Sequence, residues 1–275
     1  MISRRSLTAS LVLSGIAGHH AASAQEGETI LDRVRRTKIM RIGAVNAQPP
    51  YCYKDLATGE WAGFMIDIAR DLATELGATI QPVESTWGNA VLDVQTNKVD
   101  IFFGLAPTPQ RTLAVDFTTP LYDNAFSLIA RTGFSPAHWD DLNNPDTRIA
   151  VELGSVYDQM IATLCPKATI ARLKTNNDAL MTVQAGRADC QMIVVILGLT
   201  VLARNPSLGH LVVPAPLFSS PTAAIMAKSP SPAWRDTVNE WIGRRRHAGW
   251  LRQVLVANLE KVGVRGEDVP PQLLF

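Results

Sequence analysis

Short β-rich apolar runs alternate along this chain with segments whose apolar residues recur at helical spacing. The spacing predicts strands over residues 39–44, 79–82 and 99–103, with helices near 65–76 and 89–95 between them. Strand, helix and strand in this order build a parallel sheet covered on both faces, and such sheets bind ligands at the carboxyl ends of their strands. After residues 116–131 the series starts again, with strands over 148–152, 169–173 and 189–195 and helices near 156–164 and 179–185. Residues 133–145 are loop-forming, 206–221 lead the chain out of the second unit, and 232–259 form a closing amphipathic helical region. An α/β chain of two lobes, each with its own parallel-type sheet, is therefore expected, with two crossings between them.

The first residues break this pattern. Arg4 and Arg5 precede a short apolar stretch, 7–16, and Ala22-Ser23-Ala24 is a small-residue cleavage site before Gln25. Residues 1–24 are read as a signal peptide cleaved after Ala24. The group Ser3-Arg4-Arg5-Ser6-Leu7 suits either an ordinary secretory or a twin-arginine route. No Cys follows the cleavage site to take a lipid, and no later run of about 18 apolar residues appears. A periplasmic protein is expected, with lobe 1 formed by 25–130 and 219–275 and lobe 2 by 131–218.

Composition fits a globular chain: of 275 residues, 47% are hydrophobic and 19% charged. Lys and Arg number 26 against 25 Asp and Glu, and without Arg4 and Arg5 the balance is 24 to 25. No broad basic surface is available for nucleic acid. Cys52, Cys165 and Cys190 lie far apart without a C-x-x-C pair, which argues against structural zinc or a disulfide framework. They are expected to be unpaired. His138, His210 and His247 are scattered, and no nucleophile elbow, zinc-protease motif or phosphate loop occurs. Neither a cofactor nor a metal is expected.

Candidate chemistry gathers at strand ends. In Gly104-Leu105-Ala106-Pro107-Thr108-Pro109-Gln110-Arg111 a strand ends at a Gly, and Thr108 followed by Pro109 starts a helix. A cation in the first helical turn opposes the helix dipole, so Arg111 there makes sense when an anion such as a carboxylate is shared with the free N–H groups. A surface pair with Asp116 is the plain alternative. In the second half, Leu153-Gly154-Ser155 leads into the helix at Val156, again placing N–H groups and a hydroxyl at a strand end. Trp87 follows the second strand, where its ring suits either an apolar ligand wall or the core.

The order of seven further pieces resembles the periplasmic solute-binding proteins of polar amino-acid ABC transporters, the extracellular family 3. They are Pro49-Pro50-Tyr51-Cys52-Tyr53-Lys54-Asp55, Gly63-Phe64-Met65-Ile66-Asp67, Thr86-Trp87-Gly88-Asn89-Ala90-Val91, Gln95-Thr96-Asn97-Lys98-Val99-Asp100, the stretch from Gly104 to Arg111, Val115-Asp116-Phe117-Thr118-Thr119-Pro120-Leu121-Tyr122, and Ala185-Gly186-Arg187-Ala188-Asp189. The resemblance covers about 30–259. It implies two lobes joined by paired hinge strands that close on a ligand, then docking on a membrane permease, with the protein a monomer.

Position by position, the resemblance makes Arg111 the carboxylate arginine, Gly104 its backbone partner and Trp87 an aromatic wall, with Tyr51, Ser155 and Val156 beside them. Other positions depart from the family. Ala106 replaces a hydroxyl residue, Val45 an acid and Gln48 an aromatic wall, and Val194 stands where the family has the Asp that holds a ligand ammonium. A buried ammonium without a counter-charge is costly. The expected ligand is a carboxylate whose nitrogen is absent, substituted or held elsewhere, with Glu152, Asp123 and Asp158 as possible substitute acids. The alternative is a periplasmic dehydratase of the cyclohexadienyl dehydratase type, which the fold is known to host, with Glu152 as an acid. Arg244-Arg245-Arg246 is read as a solvated helix face or a docking patch.

Overall fold

The computed structural model describes residues 28–46 and 49–269, so the expected leader and Gln48 lie outside the described residues. The first half runs α1 (Ile30–Thr37), β1 (Ile39–Val45), β2 (Tyr53–Lys54), β3 (Trp61–Ala62), α2 (Phe64–Glu75), β4 (Thr79–Ser85), α3 (Ala90–Gln95), β5 (Phe102–Leu105), α4 (Pro109–Ala114) and β6 (Asp116–Phe117). Then follow β7 (Tyr122–Ala130), β8 (Arg148–Glu152), α5 (Val156–Leu164), β9 (Thr169–Leu173), α6 (Asn176–Gln184), β10 (Cys190–Val194), α7 (Val195–Arg204) and β11 (His210–Val212). The chain returns through β12 (Ser219–Met226) and closes with α8 (Ala233–His247) and α9 (Trp250–Glu260).

β1 and β4 pair in parallel from Ile39 opposite Thr79 to Val45 opposite Ser85, and a parallel bridge between Ile42 and Ile101 brings in the approach to β5. In the second lobe β8 is parallel to both β9 and β10. The strands β7 and β12 join the two lobes. They are antiparallel neighbours where Tyr122, Asp123, Asn124 and Ala125 face Thr222, Pro221, Ser220 and Ser219. Beyond that contact they part: β12 continues against β5 and β6, and β7 continues against β10 and β11. A register shift between Ala223 and Ala224 marks where β12 changes partner. Each of these two strands thus belongs to both lobes.

The same plug closes each parallel sheet. Asp100, 1% exposed, accepts hydrogen bonds from the backbone N–H and guanidinium of Arg41 on β1 and pairs with Arg33. Asp189 does the equivalent in lobe 2, accepting from the backbone N–H and guanidinium of Arg148 on β8 and from Arg131. Burial alone would raise the Asp189 pKa, but the Arg148 and Arg131 bonds outweigh it and pull the carboxyl down to about 2. Three residues before each Asp the chain turns through the left-handed region, at Asn97 and at Gly186. The segments Asn97-Lys98-Val99-Asp100 and Gly186-Arg187-Ala188-Asp189 are one device used twice.

Two expectations need correction. β5 begins at Phe102 rather than at residue 99, because Asp100 is turned inward onto the arginines. The strand ending at Val194 passes directly into α7, a helix the periodicity did not reveal; Val195, Ile196, Leu197, Gly198 and Thr200 are all buried, so no polar face alternates with an apolar one. The arginine run lies on an exposed helix face, as expected, and its side chains are engaged there: Arg244 pairs with Glu75, Arg245 with Asp71, and Arg246 donates to the Pro120 carbonyl. With buried Trp241 donating to Asp71, these contacts clamp α8 onto α2. All three cysteines are free and buried, and no helix among the described residues is long and apolar enough to cross a membrane.

Asp100→Ala leaves two arginines beside an apolar core without their anion. It is expected to lower stability by about 3 kcal/mol in urea unfolding, whereas Lys54→Ala, which removes an exposed pair with Glu84, changes it by less than about 0.5 kcal/mol.

Candidate functional site

The end of β5 sets up the site. Thr108 caps α4 by accepting from the Arg111 N–H at 3.3 Å, and Pro109 takes the first helical position, where no N–H is needed. This geometry turns the Arg111 side chain back towards the strand. Its guanidinium donates to the Ala106 carbonyl at 3.0 Å and, across the cleft, to the Gly154 carbonyl of lobe 2, also at 3.0 Å. Arg111 is only 7% exposed, and burial lowers its pKa from the usual value. Its hydrogen-bond acceptors are two carbonyls; the pair with Asp116 does not form, and among the described residues no carboxylate lies within ion-pair distance.

A cavity of about 60 Å³ adjoins the guanidinium. Tyr51, Trp87, Gly104, Ala106, Arg111, Ser155, Val156 and Val194 line it, so the structure brings together every site residue expected from the sequence except the undescribed Gln48. Gly104 lies at φ +97°, and a Cβ there would stand 3.1 Å from the Trp87 ring and 3.0 Å from the Met65 methyl. Only glycine lets the strand pass this close to the indole, which itself leans on Phe102 with ring centres 5.8 Å apart. On the lobe 2 side Gly154 is at φ +75°, its virtual Cβ 3.2 Å from Gly88 Cα, and Ser155 caps α5 by accepting from the Asp158 N–H. The N–H groups at the start of α5 therefore face the same space as Arg111.

A third wall was missed by sequence reasoning. Tyr122, Asn124 and Phe126 from β7, with Ser220 and Thr222 from β12, also line the cavity. Their i, i+2 spacing on two paired strands is the signal that could have found them. Leu105 from β5, Tyr157 from α5 and Leu197 from α7 also line it.

Among the described residues, no Asp or Glu lines the cavity. Val194 stands at its wall, as the departure from the family implied, and none of the three substitute acids reaches it. Asp158 pairs with Arg172 and accepts from the Gly154 N–H. Asp123 alternates away from Tyr122 and Asn124 along β7. Glu152 is 4% exposed behind Tyr157, accepting from the Asn176 amide at 2.6 Å and from the Tyr157 hydroxyl at 3.4 Å. Burial is the main cause of its pKa rising to about 7.

The model of the family "Bacterial extracellular solute-binding proteins, family 3" matches residues 40–257. The chain belongs to this family. Among curated relatives it is 23% identical to the cyclohexadienyl dehydratase of Pseudomonas aeruginosa over 236 residues, 85% of this chain and 87% of the relative. It is 29% identical to the L-arginine-binding protein of the same organism over 160 residues, 55% of this chain and 59% of that one. Among solved structures, an ancestral amino acid-binding protein, a precursor of cyclohexadienyl dehydratase, aligns with a TM-score of 0.75 at 28% identity, covering 86% of this chain and all of that one. The two-lobed fold of the family and the strand crossings described above agree.

Two outcomes are expected from this geometry. Gly104→Ala forces a Cβ into the indole at a positive φ, and should abolish ligand-induced stabilisation in melting scans while the protein remains folded. Glu152 binds its proton more tightly folded than unfolded, so its contribution favours folding below about pH 4.5 and is lost as pH rises to about 7. Replacing it by Gln should flatten the fall in stability over that window, worth roughly 3 kcal/mol, in unfolding curves taken at several pH values.

Proposed function

We propose that this chain is the periplasmic substrate-binding subunit of an ABC importer, capturing a small carboxylate-bearing, amino-acid-like solute between its lobes and delivering it to a membrane permease. Lobe 1 is taken as residues 25–130 and 219–275 and lobe 2 as 131–218, with export directed by residues 1–24. The observation that carries this reading is Arg111: a buried guanidinium bonded to a carbonyl from each lobe, with no carboxylate among its partners, at the edge of a cavity that touches both lobes. A buried cation is normally paired. A ligand carboxylate supplies the anion, shared between the remaining Arg111 donors and the first turn of α5. Gly104 and Trp87 then form the lobe 1 wall, and Ser155, Val156 and Val194 the lobe 2 wall, with Tyr51 and Ala106 at the sides.

The relatives' names support amino-acid-sized solutes: an L-arginine-binding protein and an L-cystine-binding protein are among them. A second reading, a dehydratase of the cyclohexadienyl dehydratase type, draws on another relative's name and on Glu152. One fact favours binding: Glu152 lies behind Tyr157 and off the cavity wall.

Melting scans of the mature protein, denatured and refolded to strip carried ligand, test the reading against amino acids, substituted amino acids and plain carboxylates. A ligand at a hundredfold excess over its Kd should stabilise by about 2.7 kcal/mol, and Arg111→Ala should remove that gain. Turnover of the bound acid seen by mass spectrometry would favour the dehydratase, and no stabilisation by any carboxylate would overturn the assignment of Arg111.

A further inference from the structure

We infer that the hinge strands carry the second half of the ligand site, an uncharged polar subsite built around Asn124, and that the solute is a small hydroxycarboxylic acid rather than a zwitterionic amino acid. The inference rests on the reading of Arg111 as the carboxylate site.

Asn124 is 5% exposed at the middle of the β7–β12 contact, directly opposite Ser220. Its amide nitrogen donates to the Tyr51 hydroxyl at 2.6 Å, and its Oδ1 is buried with no partner. Tyr51 is in turn bonded to Tyr122, and Tyr122 to Thr222, so the amide is held from one side by a chain of hydroxyls. All of these groups line the same cavity as Arg111. A buried acceptor left without a donor in so ordered a network is rare, and a ligand donor resolves it.

The charge of that donor follows from the rest of the wall. An ammonium taken out of water requires an anion close by, and no carboxylate lines this cavity. A hydroxyl is neutral. It donates to Asn124 Oδ1 and accepts from neighbouring hydroxyls, which matches a wall of amide and hydroxyl groups.

Calorimetric titration of the refolded mature protein with matched skeletons tests this: propionate, lactate and alanine, then butyrate with its 2-, 3- and 4-hydroxy and amino counterparts. For at least one hydroxyl position the hydroxy acid should bind about tenfold or more tighter than both the plain and the amino acid. Asn124→Leu should bring the ratio of hydroxy to plain acid close to one, and Asn124→Asp should turn the preference towards the amino acid. Hydroxy acids no tighter than plain acids at every position overturn the inference while leaving the carboxylate site standing, as does an advantage that survives Asn124→Leu. Failure of every carboxylate to bind overturns both. The wild-type ratios decide even where a variant does not fold.

Discussion

A guanidinium buried without an anion is the constraint around which the two lobes are arranged. Arg111 reaches its position because Thr108 and Pro109 start α4 immediately after β5, and it is held there by one carbonyl from its own lobe and one from the other. Carbonyl dipoles orient a charge but do not neutralise it. Closure of the cleft is thereby coupled to charge: the lobe 2 carbonyl that approaches Arg111 also brings the N-terminus of α5 to the same place. An anion placed between them is attracted by a full charge on one side and a helix dipole on the other. Gly154 is small for the same reason, since a side chain there would hold Gly88 away and open the cleft, while Gly104 lets Trp87 lie against the strand within lobe 1.

Each lobe brings its own rigidity to this arrangement. Asp100 and Asp189 tie the first strand of each sheet to the turn that follows a helix, by equivalent sets of arginine and backbone bonds. The clamp of α8 on α2 adds charge pairs on the outside of lobe 1. Covalent continuity between the lobes is left to β7, β12 and their flanks, and the contact they share is only four residue pairs long. A ligand shifts a two-state equilibrium only by the contacts that differ between the states. The Arg111 contact to Gly154 crosses between the lobes, whereas the contacts of β7 with β12 lie within the connecting strands themselves.

Much of this was legible in the sequence because local rules govern it. The alternation of strands and helices, the repeat in the second half, the Thr-Pro helix start and the Gly-Ser turn all depend on neighbouring residues, and the strands 148–152 and 169–173 and the helix 156–164 have the boundaries that the pattern implied. The position of Val194 followed from counting along a motif. What sequence reading missed depends on tertiary context. α7 is apolar on almost every side, so its period carries no signal, and the partners of Arg244 and Arg245 lie far away in the chain on α2. The hinge wall was missed for the same reason: Asn124 and Ser220 are polar residues in two separate segments, and nothing in either says that the other is adjacent or that Tyr51 lies beside them.

The charge balance of the cavity joins the two halves of the site. Arg111 contributes one positive charge and no lining residue contributes a negative one, so a monoanion brings the site to neutrality and a zwitterion leaves it positive. In a family member with an acid in place of Val194, the second ionic pair would restore neutrality for an amino acid. Here Val194 puts methyl groups on the cavity wall in place of a carboxylate, and the polar groups of the hinge wall, Asn124 and its hydroxyl neighbours, are all uncharged. Neutral hydrogen-bonding groups discriminate through what they leave unpaired when the wrong solute binds. On the proposed reading, the absence of an acid and the presence of an orphan amide oxygen are two expressions of one specificity, for a solute with a single charge.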